Sequence, residues 1–548
     1  MNLVSKFFKF TIPSIVSMWI FSLYTMVDGI FVSHGVGSHA LGAVNLSMPF
    51  VSLIFTIGIL LATGTSTILS MALGQGDEDR ARNYFNQNLA VVIVLSLALT
   101  VLVLFNLERV AIFLGATGDL LPLVKEYVGI IACFAVFFTV SYNLEVQVKA
   151  DGAPHISTIG VLSCAIMNVV LDYVFVMHFH WGVWGAALAT GLAQVTSTIV
   201  FVVYFVRHPK PLRFGKFKPD FGAYRRIIPL GTSDGLSEFS NGLVIFLFNH
   251  TILQVVGEAA LTSYTIVSYV NTLVLMTMIG TAHGIQPLSS FHLGAGEIPL
   301  CHKFLSYGIK LVAAAGVGFF AICQLLAGPI VSLFLEAGDP LFEYTVTALR
   351  LYSTAFLLMG FNVVISGFFT AMEHPLPALT ISFGRGLVLI SGCLIFLSMV
   401  LGDVGIWLSP LVAEGICLVI TLFFLVRYFR KVRQTQPAEE KRRMTKVMRR
   451  FLWGQQILFH RHTYAALPVG PGQVAGRSFC LSAGVAHGKG PARPAQQLQV
   501  VARVPKGHDL LRPQTQSGTQ GLHRRSLVDA GGGKLHIFSK RGGHRQRA

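Results

Sequence analysis

Long stretches of uncharged, apolar sequence constrain this chain more than any other feature. Phe50–Leu73, Leu89–Phe105, Ile130–Val140, Ile199–Val206, Leu311–Leu326 and Leu387–Leu401 are nearly free of charge. A helix needs about 20 such residues to cross the hydrocarbon of a bilayer. Charged residues make up 12% of the chain and hydrophobic ones 53%, whereas soluble domains carry roughly 25% charged residues. Inside hydrocarbon the backbone must satisfy its own hydrogen bonds, which leaves helices or a closed barrel. A barrel needs apolar and polar residues in alternation, and these blocks are apolar all round. The chain is therefore expected to be an all-α membrane protein.

Twelve spans are predicted, near residues 10–33, 42–73, 85–106, 122–147, 156–178, 183–206, 226–253, 258–292, 303–327, 341–370, 376–400 and 404–429. Lys6, Lys9, Arg80, Arg82, Lys149, the basic run from Arg207 to Arg226, and Arg427, Arg430, Lys431 and Arg433 fall at one set of helix ends. The opposite set has Arg109 and Lys125 in its short loops. The positive-inside rule then puts both termini in the cytoplasm of a multi-pass cell (plasma or inner) membrane protein, and an even number of spans follows.

The net charge of +17 does not describe the membrane part. Residues 441–548 hold 20 Lys+Arg and 2 Asp+Glu, and residues 1–440 hold 22 and 23. No nucleic-acid partner is expected from a basic tail of this kind. The tail, 433–548, is read as disordered or non-functional, with Met444–Phe459 as a candidate surface helix. The seven cysteines lie apart, without a C-x-x-C pair, and read as small packing residues rather than metal ligands or disulfides. No cleavable leader is expected, because the first apolar block is too long and contains Pro13.

The chain repeats itself. Gly37, Ala40, Leu41, Gly74 and Gly76 recur as Gly257, Ala260, Leu261, Gly294 and Gly296; Ala150 and Pro154 as Ala371 and Pro375; Gly182-Val183-Trp184 as Gly405-Ile406-Trp407. The expected organisation is an N-terminal lobe, 1–206, a basic linker, 207–225, and a C-terminal lobe, 226–432. Six spans per lobe give the lobes one orientation and a pseudo-two-fold axis along the membrane normal.

Ionisable residues within spans are costly and need a reason. They are Asp28 in the first, Asp172 in the fifth, Glu238 and Asp234 in the seventh, Arg385 in the eleventh and Glu414 in the twelfth. Asn168 and Asp172, four residues apart, share a helix face. With Asp28 they either surround a small hard cation, share a proton between carboxyls that cannot both ionise cheaply, or simply pair helices. Pro13 and the glycines at 58, 64, 280 and 284 mark places where helices can bend. Gly231-Thr232-Ser233-Asp234-Gly235 matches the G-x-S-x-G elbow but lacks its strand, so it reads as close helix packing. No G-K-[ST] nucleotide loop or H-E-x-x-H metal motif occurs, and His178 and His180 beside Trp181 read as interfacial. No catalytic cluster is found, so no enzyme activity and no cofactor is expected.

Val27-Asp28-Gly29-Ile30-Phe31-Val32, Gly74-Gln75-Gly76, Gly294-Ala295-Gly296 and Gly182–Thr190 together resemble the multidrug and toxic compound extrusion (MATE) family of prokaryotic type, over about residues 5–432. The resemblance implies two six-helix lobes that export amphipathic, often cationic, compounds in exchange for Na⁺ or H⁺. It also implies a cation site at Asp28, Asn168, Asp172 and Thr190, with these four as ligands if the ion is sodium, and a bend of the first helix at Pro13. Glu238 resembles the family's seventh-helix carboxylate. Asn362 stands where some members have a second acid in the tenth helix, and Tyr24, Glu238 and Asn362 are expected to face the substrate cavity. The partners expected are small organic solutes and the bilayer, and the protein is expected to be a monomer. The alternative is a lipid-linked oligosaccharide flippase of similar two-lobed plan. The acidic balance of the buried charges argues for a cationic solute instead.

Overall fold

The computed structural model describes residues 2–36, 38–208, 211–336 and 338–435. The tail reading, and the surface helix proposed within it, fall outside the described residues from 436 onward.

The regular elements of the described chain are all helices, with no strand among the described residues. Its helices are α1 (Leu3–Gly35), α2 (Ser38–Gly74), α3 (Glu78–Phe105), α4 (Leu107–Phe113), α5 (Leu120–Ala150), α6 (Pro154–Asp172), α7 (Gly182–Arg207), α8 (Tyr224–Val255), α9 (Ala260–Gly294), α10 (Ile298–Leu325), α11 (Ala327–Val331), α12 (Phe342–Ser353), α13 (Phe356–Ala371), α14 (Pro375–Phe383), α15 (Ile390–Leu401) and α16 (Asp403–Thr435). Short π segments, Tyr173–His178 and Gly384–Leu389, prolong α6 and join α14 to α15.

Ten segments are long and apolar enough to cross a bilayer, with α6 and its π segment forming one and α14, the second π segment and α15 together forming another. The pair α12–α13, bent by 42° at residues 354–355, makes an eleventh span. The twelfth, in seventh place along the chain, is α8. It has 32 residues, ample to cross, but carries Asp234, Ser237, Glu238 and Asn241 toward an internal cavity. Apolar side chains such as Leu23, Val94, Leu102, Phe246, Phe396 and Val419 cover the outside, as a hydrocarbon solvent requires.

Within the first half α1 packs on α6, and α5 on α2, α3 and α7; within the second, α13 packs on α9, α10 and α16, and α8 on α14. Between halves α1 meets α9 and α2 meets α8. The first and second spans of one half thus touch the second and first of the other, the exchange a two-fold axis produces. The repeated glycines explain how closely. A Cβ on Gly74 would lie 1.9 Å from the Phe291 carbonyl oxygen of α9, and one on Gly294 would lie 2.1 Å from the Met71 carbonyl oxygen of α2. Gly76 and Gly296 then turn the chain at φ +77° and +75°, a region that disfavours a Cβ.

Gly64, Gly280 and Gly284, read from sequence as bending points, instead lie where helices of opposite halves touch. Added Cβ atoms there would sit 2.1 Å from the Ile227 carbonyl oxygen, 2.6 Å from Ile15 Cα and 2.6 Å from Thr11 Cα. The same holds for the G-x-S-x-G match, where a Cβ on Gly231 would fall 1.8 Å from the Leu60 carbonyl oxygen. Small residues permit such backbone approach in membrane bundles.

The linker is not a bare loop. Asn86 of α3 donates to the Arg213 carbonyl (3.0 Å) and accepts from the Gly215 amide (2.9 Å). Asn83 treats Lys218 in the same way (2.9 and 2.7 Å), and Gln87 treats Asp220 (3.0 and 2.8 Å). Three side-chain amides on one helix face stand in for a strand partner and satisfy the backbone of residues 213–220.

Candidate functional site

In the first half, α1 brings Asp28 and the C-terminal turn of α6 brings Asn168 and Asp172 to one place. Asn168 and Asp172 are fully buried. The carboxyls of Asp28 and Asp172 lie within hydrogen-bonding reach of each other. Tyr127 of α5 lies within electrostatic range of both. Asn168 Nδ2 approaches Thr190 Oγ1 of α7 at 3.5 Å, and that hydroxyl donates to the Ala186 carbonyl at 3.0 Å. The four residues singled out from sequence therefore share one site.

The oxygens there lack donors. Asp28 Oδ1, Asn168 Oδ1 and both carboxylate oxygens of Asp172 are buried without a hydrogen-bond partner. Buried oxygens left in this way are expensive. Their chemistry suits a small hard cation, which takes oxygen ligands, or a proton shared between two acids. Among the described residues no group of three or more His, Cys, Asp or Glu has metal-binding geometry, so a transition-metal centre has no support there. The π segment begins immediately after Asp172. Such segments re-aim side chains at functional sites.

Between the halves lies a cavity whose empty volume, open mouth included, is about 1290 Å³. Tyr24, Glu238 and Asn362 line it, together with Asp234, Glu145 and Arg385. Met18, Phe21, Phe55 and Met276 supply apolar and aromatic wall. Asp234 accepts from Gln286 Nε2 at 3.2 Å. Asn362 faces the cavity but is held from behind. Its Nδ2 donates to Glu414 Oε2 at 2.7 Å, and its Oδ1 accepts from Thr421 at 2.9 Å.

A family model described as MatE matches residues 13–174 and 236–395, more than half of the chain and both halves of the repeat. The chain belongs to the MATE family. Among curated proteins it is similar to the multidrug export protein MepA of Staphylococcus haemolyticus (strain JCSC1435), with 27% identity over 76% of this chain and 92% of the relative. MepA of Staphylococcus aureus (strain MSSA476) is 26% identical over 79% and 95%. Among solved structures, a MATE protein in complex with MaL6 superposes with a TM-score of 0.74 at 22% identity, covering 78% of this chain and 96% of that one. An outward-facing multidrug resistance MATE family transporter of the MOP superfamily gives 0.74 with the same identity and coverage. The two-lobed, twelve-helix fold and the multi-pass transporter class follow.

In this MATE transporter two buried polar features escaped the sequence reading. Lys149, counted there among the charges at the helix ends, is 3% exposed and pairs at 2.8 Å with Glu145, one turn earlier on α5. An aqueous lysine would have been the ordinary outcome, and the i, i+4 Glu–Lys spacing was the available signal. Glu145 Oε1 also accepts from Ser157 at 3.0 Å, and Ser157 lies 3.4 Å from Ser17. Ser17 and Thr158 both donate to the Pro13 carbonyl, at 2.9 and 3.0 Å. A polar chain thus runs from the cavity to the proline of α1. The second missed feature is the set Arg385–Glu414–Asn362, whose members come from three different spans.

Proposed function

We propose that this MATE transporter is a cation-coupled antiporter of the cell membrane, with both termini cytoplasmic. In this reading it exports amphipathic, cationic organic compounds in exchange for Na⁺ or H⁺. The observation that carries the reading is the set of four donor-less buried oxygens at Asp28, Asn168 and Asp172. A cation entering there offsets the repulsion of two carboxyls in a medium of low dielectric. Thr190 completes the ligand set, its oxygen already 3.5 Å from Asn168.

The solute binds the cavity between the halves. Glu238 and Asp234 meet its positive charge, while Tyr24 and the aromatic wall take its apolar body. Multidrug export is the printed function of the MepA relatives and supports this substrate class. Asp28 rides on the same helix as Pro13, where the helix lacks one backbone donor. Filling the cation site pulls Asp28 toward Asp172 and favours the solute-releasing state. One charge moving inward across 100 mV supplies roughly 2.3 kcal/mol per cycle.

The test is efflux from everted vesicles, energised by a pH gradient or a Na⁺ gradient separately, with a fluorescent organic cation as reporter. Asp172→Asn is expected to abolish gradient-driven movement while leaving cavity binding of the reporter intact. An Asp172→Asn protein that pumps like the parent would remove the coupling role.

A further inference from the structure

The two halves each hold a polar centre between their fifth and sixth spans, and the centres differ in charge. In the first half, Asp28 and Asp172 supply two carboxyls, with no basic residue bonded to either among the described residues. In the second half, Glu414 supplies one carboxylate, and both of its oxygens have donors. Arg385 Nη1 donates to Oε1 at 3.1 Å, Asn362 Nδ2 to Oε2 at 2.7 Å, and Thr421 to Asn362 Oδ1 at 2.9 Å. Glu414 is buried at 6% exposure and Arg385 is mostly covered at 14%.

We propose that Arg385 is a tethered cation, occupying from within the chain a monovalent-cation site at the Glu414 carboxylate, which Asn362 and Thr421 hold in place. Glu414 faces Arg385 through Oε1, while Asn362 Nδ2 holds Oε2 and Thr421 holds Asn362 from behind, so the carboxylate is fixed in place as the partner of the guanidinium. The guanidinium sits where a free ion would otherwise be required. Arg385 is carried on the π segment Gly384–Leu389, between two glycines, and it lines the cavity together with Asn362. A small ion in the cavity would therefore reach Glu414 once the arginine side chain was gone. Leaving a buried carboxylate without a positive partner is costly, so the arginine both neutralises the centre and excludes exchange. Ion exchange is thereby confined to the first half, and the second half keeps a fixed charge through the cycle. The site itself stands on the Arg385 cluster; its comparison with the first half rests on the coupling role assigned to Asp28 and Asp172.

The experiment measures cation bound per protein in detergent, as radioactive sodium ion at equilibrium and as protons taken up potentiometrically. Arg385→Gln is expected to raise the total cation bound roughly twofold over the parent, since one buried acid gains an exchangeable partner. In an Asp28→Asn/Asp172→Asn background the parent arginine leaves no binding, and Arg385→Gln restores it. Adding Glu414→Gln abolishes the gain. Arg385→Lys, which keeps the charge, adds nothing. The Arg385→Gln/Glu414→Gln pair, uncharged, controls for folding by its elution as a single monodisperse species. No gain on Arg385→Gln by either readout, or a gain that survives Glu414→Gln, overturns the proposal. Binding that persists in Asp28→Asn/Asp172→Asn with Arg385 intact would instead remove the first-half coupling reading, leaving the Glu414-dependent gain as a separate result.

Discussion

Asp28 of the first span and Asp172 of the fifth set their carboxyl groups against each other inside the N-terminal half, and neither oxygen of Asp172 has a donor. Two like charges at such range in an apolar surround repel strongly. Helix pairing alone would favour an acid against a donor, as Asn362 and Glu414 are arranged in the other half. The unpaired pair therefore argues for an exchangeable positive partner over static glue.

Asn168 offers that partner a neutral oxygen, and it does not line the cavity. Asn168→Leu should weaken the cation dependence of transport about tenfold, equivalent to roughly 1.4 kcal/mol. Binding of the organic reporter in the absence of a gradient should stay at the parent level. Cation titrations of efflux in proteoliposomes measure this, and an unshifted half-saturating concentration would count against the ligand role.

Glu238 lines the cavity and receives no hydrogen bond among the described residues. Glu238→Gln should reduce affinity for a monocationic reporter roughly tenfold, the value of one charge-assisted contact. It should leave a neutral analogue of the same shape nearly unaffected. Fluorescence anisotropy with the two ligands compares them directly. Equal losses for both would point to shape rather than charge.

Lys149 and Glu145 form a buried ion pair. Lys149→Met strands the carboxylate and should destabilise the protein by about 3–5 kcal/mol. Lys149→Met with Glu145→Met should recover most of that loss, because neither charge then remains. Thermal unfolding followed by detergent size-exclusion reports the order of the three variants.

Gly231 and Gly242 sit on the same helix with opposite surroundings. A Cβ at Gly231 meets the Leu60 carbonyl oxygen at 1.8 Å, while one at Gly242 meets nothing within 4 Å. Gly231→Ala should lower stability by about 1–3 kcal/mol through overpacking between α2 and α8. Gly242→Ala should be neutral or mildly stabilising, by up to about 1 kcal/mol of helix propensity. A melting comparison of the two variants separates contact from propensity.

Asn86 makes two hydrogen bonds to the linker backbone. Asn86→Ala should release about 1 kcal/mol per bond locally and speed tryptic cleavage after Arg213 and Lys216. Cleavage at the parent rate would mean that Asn83 and Gln87 hold the segment unaided.

Much of the architecture was legible before any coordinates. The apolar blocks demanded helices because hydrocarbon offers the backbone no partners, and the recurrence of Gly74-Gln75-Gly76 as Gly294-Ala295-Gly296 announced two related halves. Asp28 and the Asn168–Asp172 pair stood out because a charge within a span needs a reason. Other features had no such signal. Lys149 read as an aqueous charge, since nothing along the chain announces that its helix end is covered by other helices. Arg385, Glu414 and Asn362 were each visible, yet their pairing joins residues 29 and 52 positions apart. The amide ladder of Asn83, Asn86 and Gln87 looked like ordinary helix surface.

What the chain determines alone is whatever depends on solvent and local geometry: which segments lie in lipid, how long they are, where they turn, and which charges are out of place there. What only the folded bundle decides is which of those charges meet. Whether a buried acid faces an arginine, an amide or a second acid depends on helix rotation and crossing, and those are set by packing among many side chains at once.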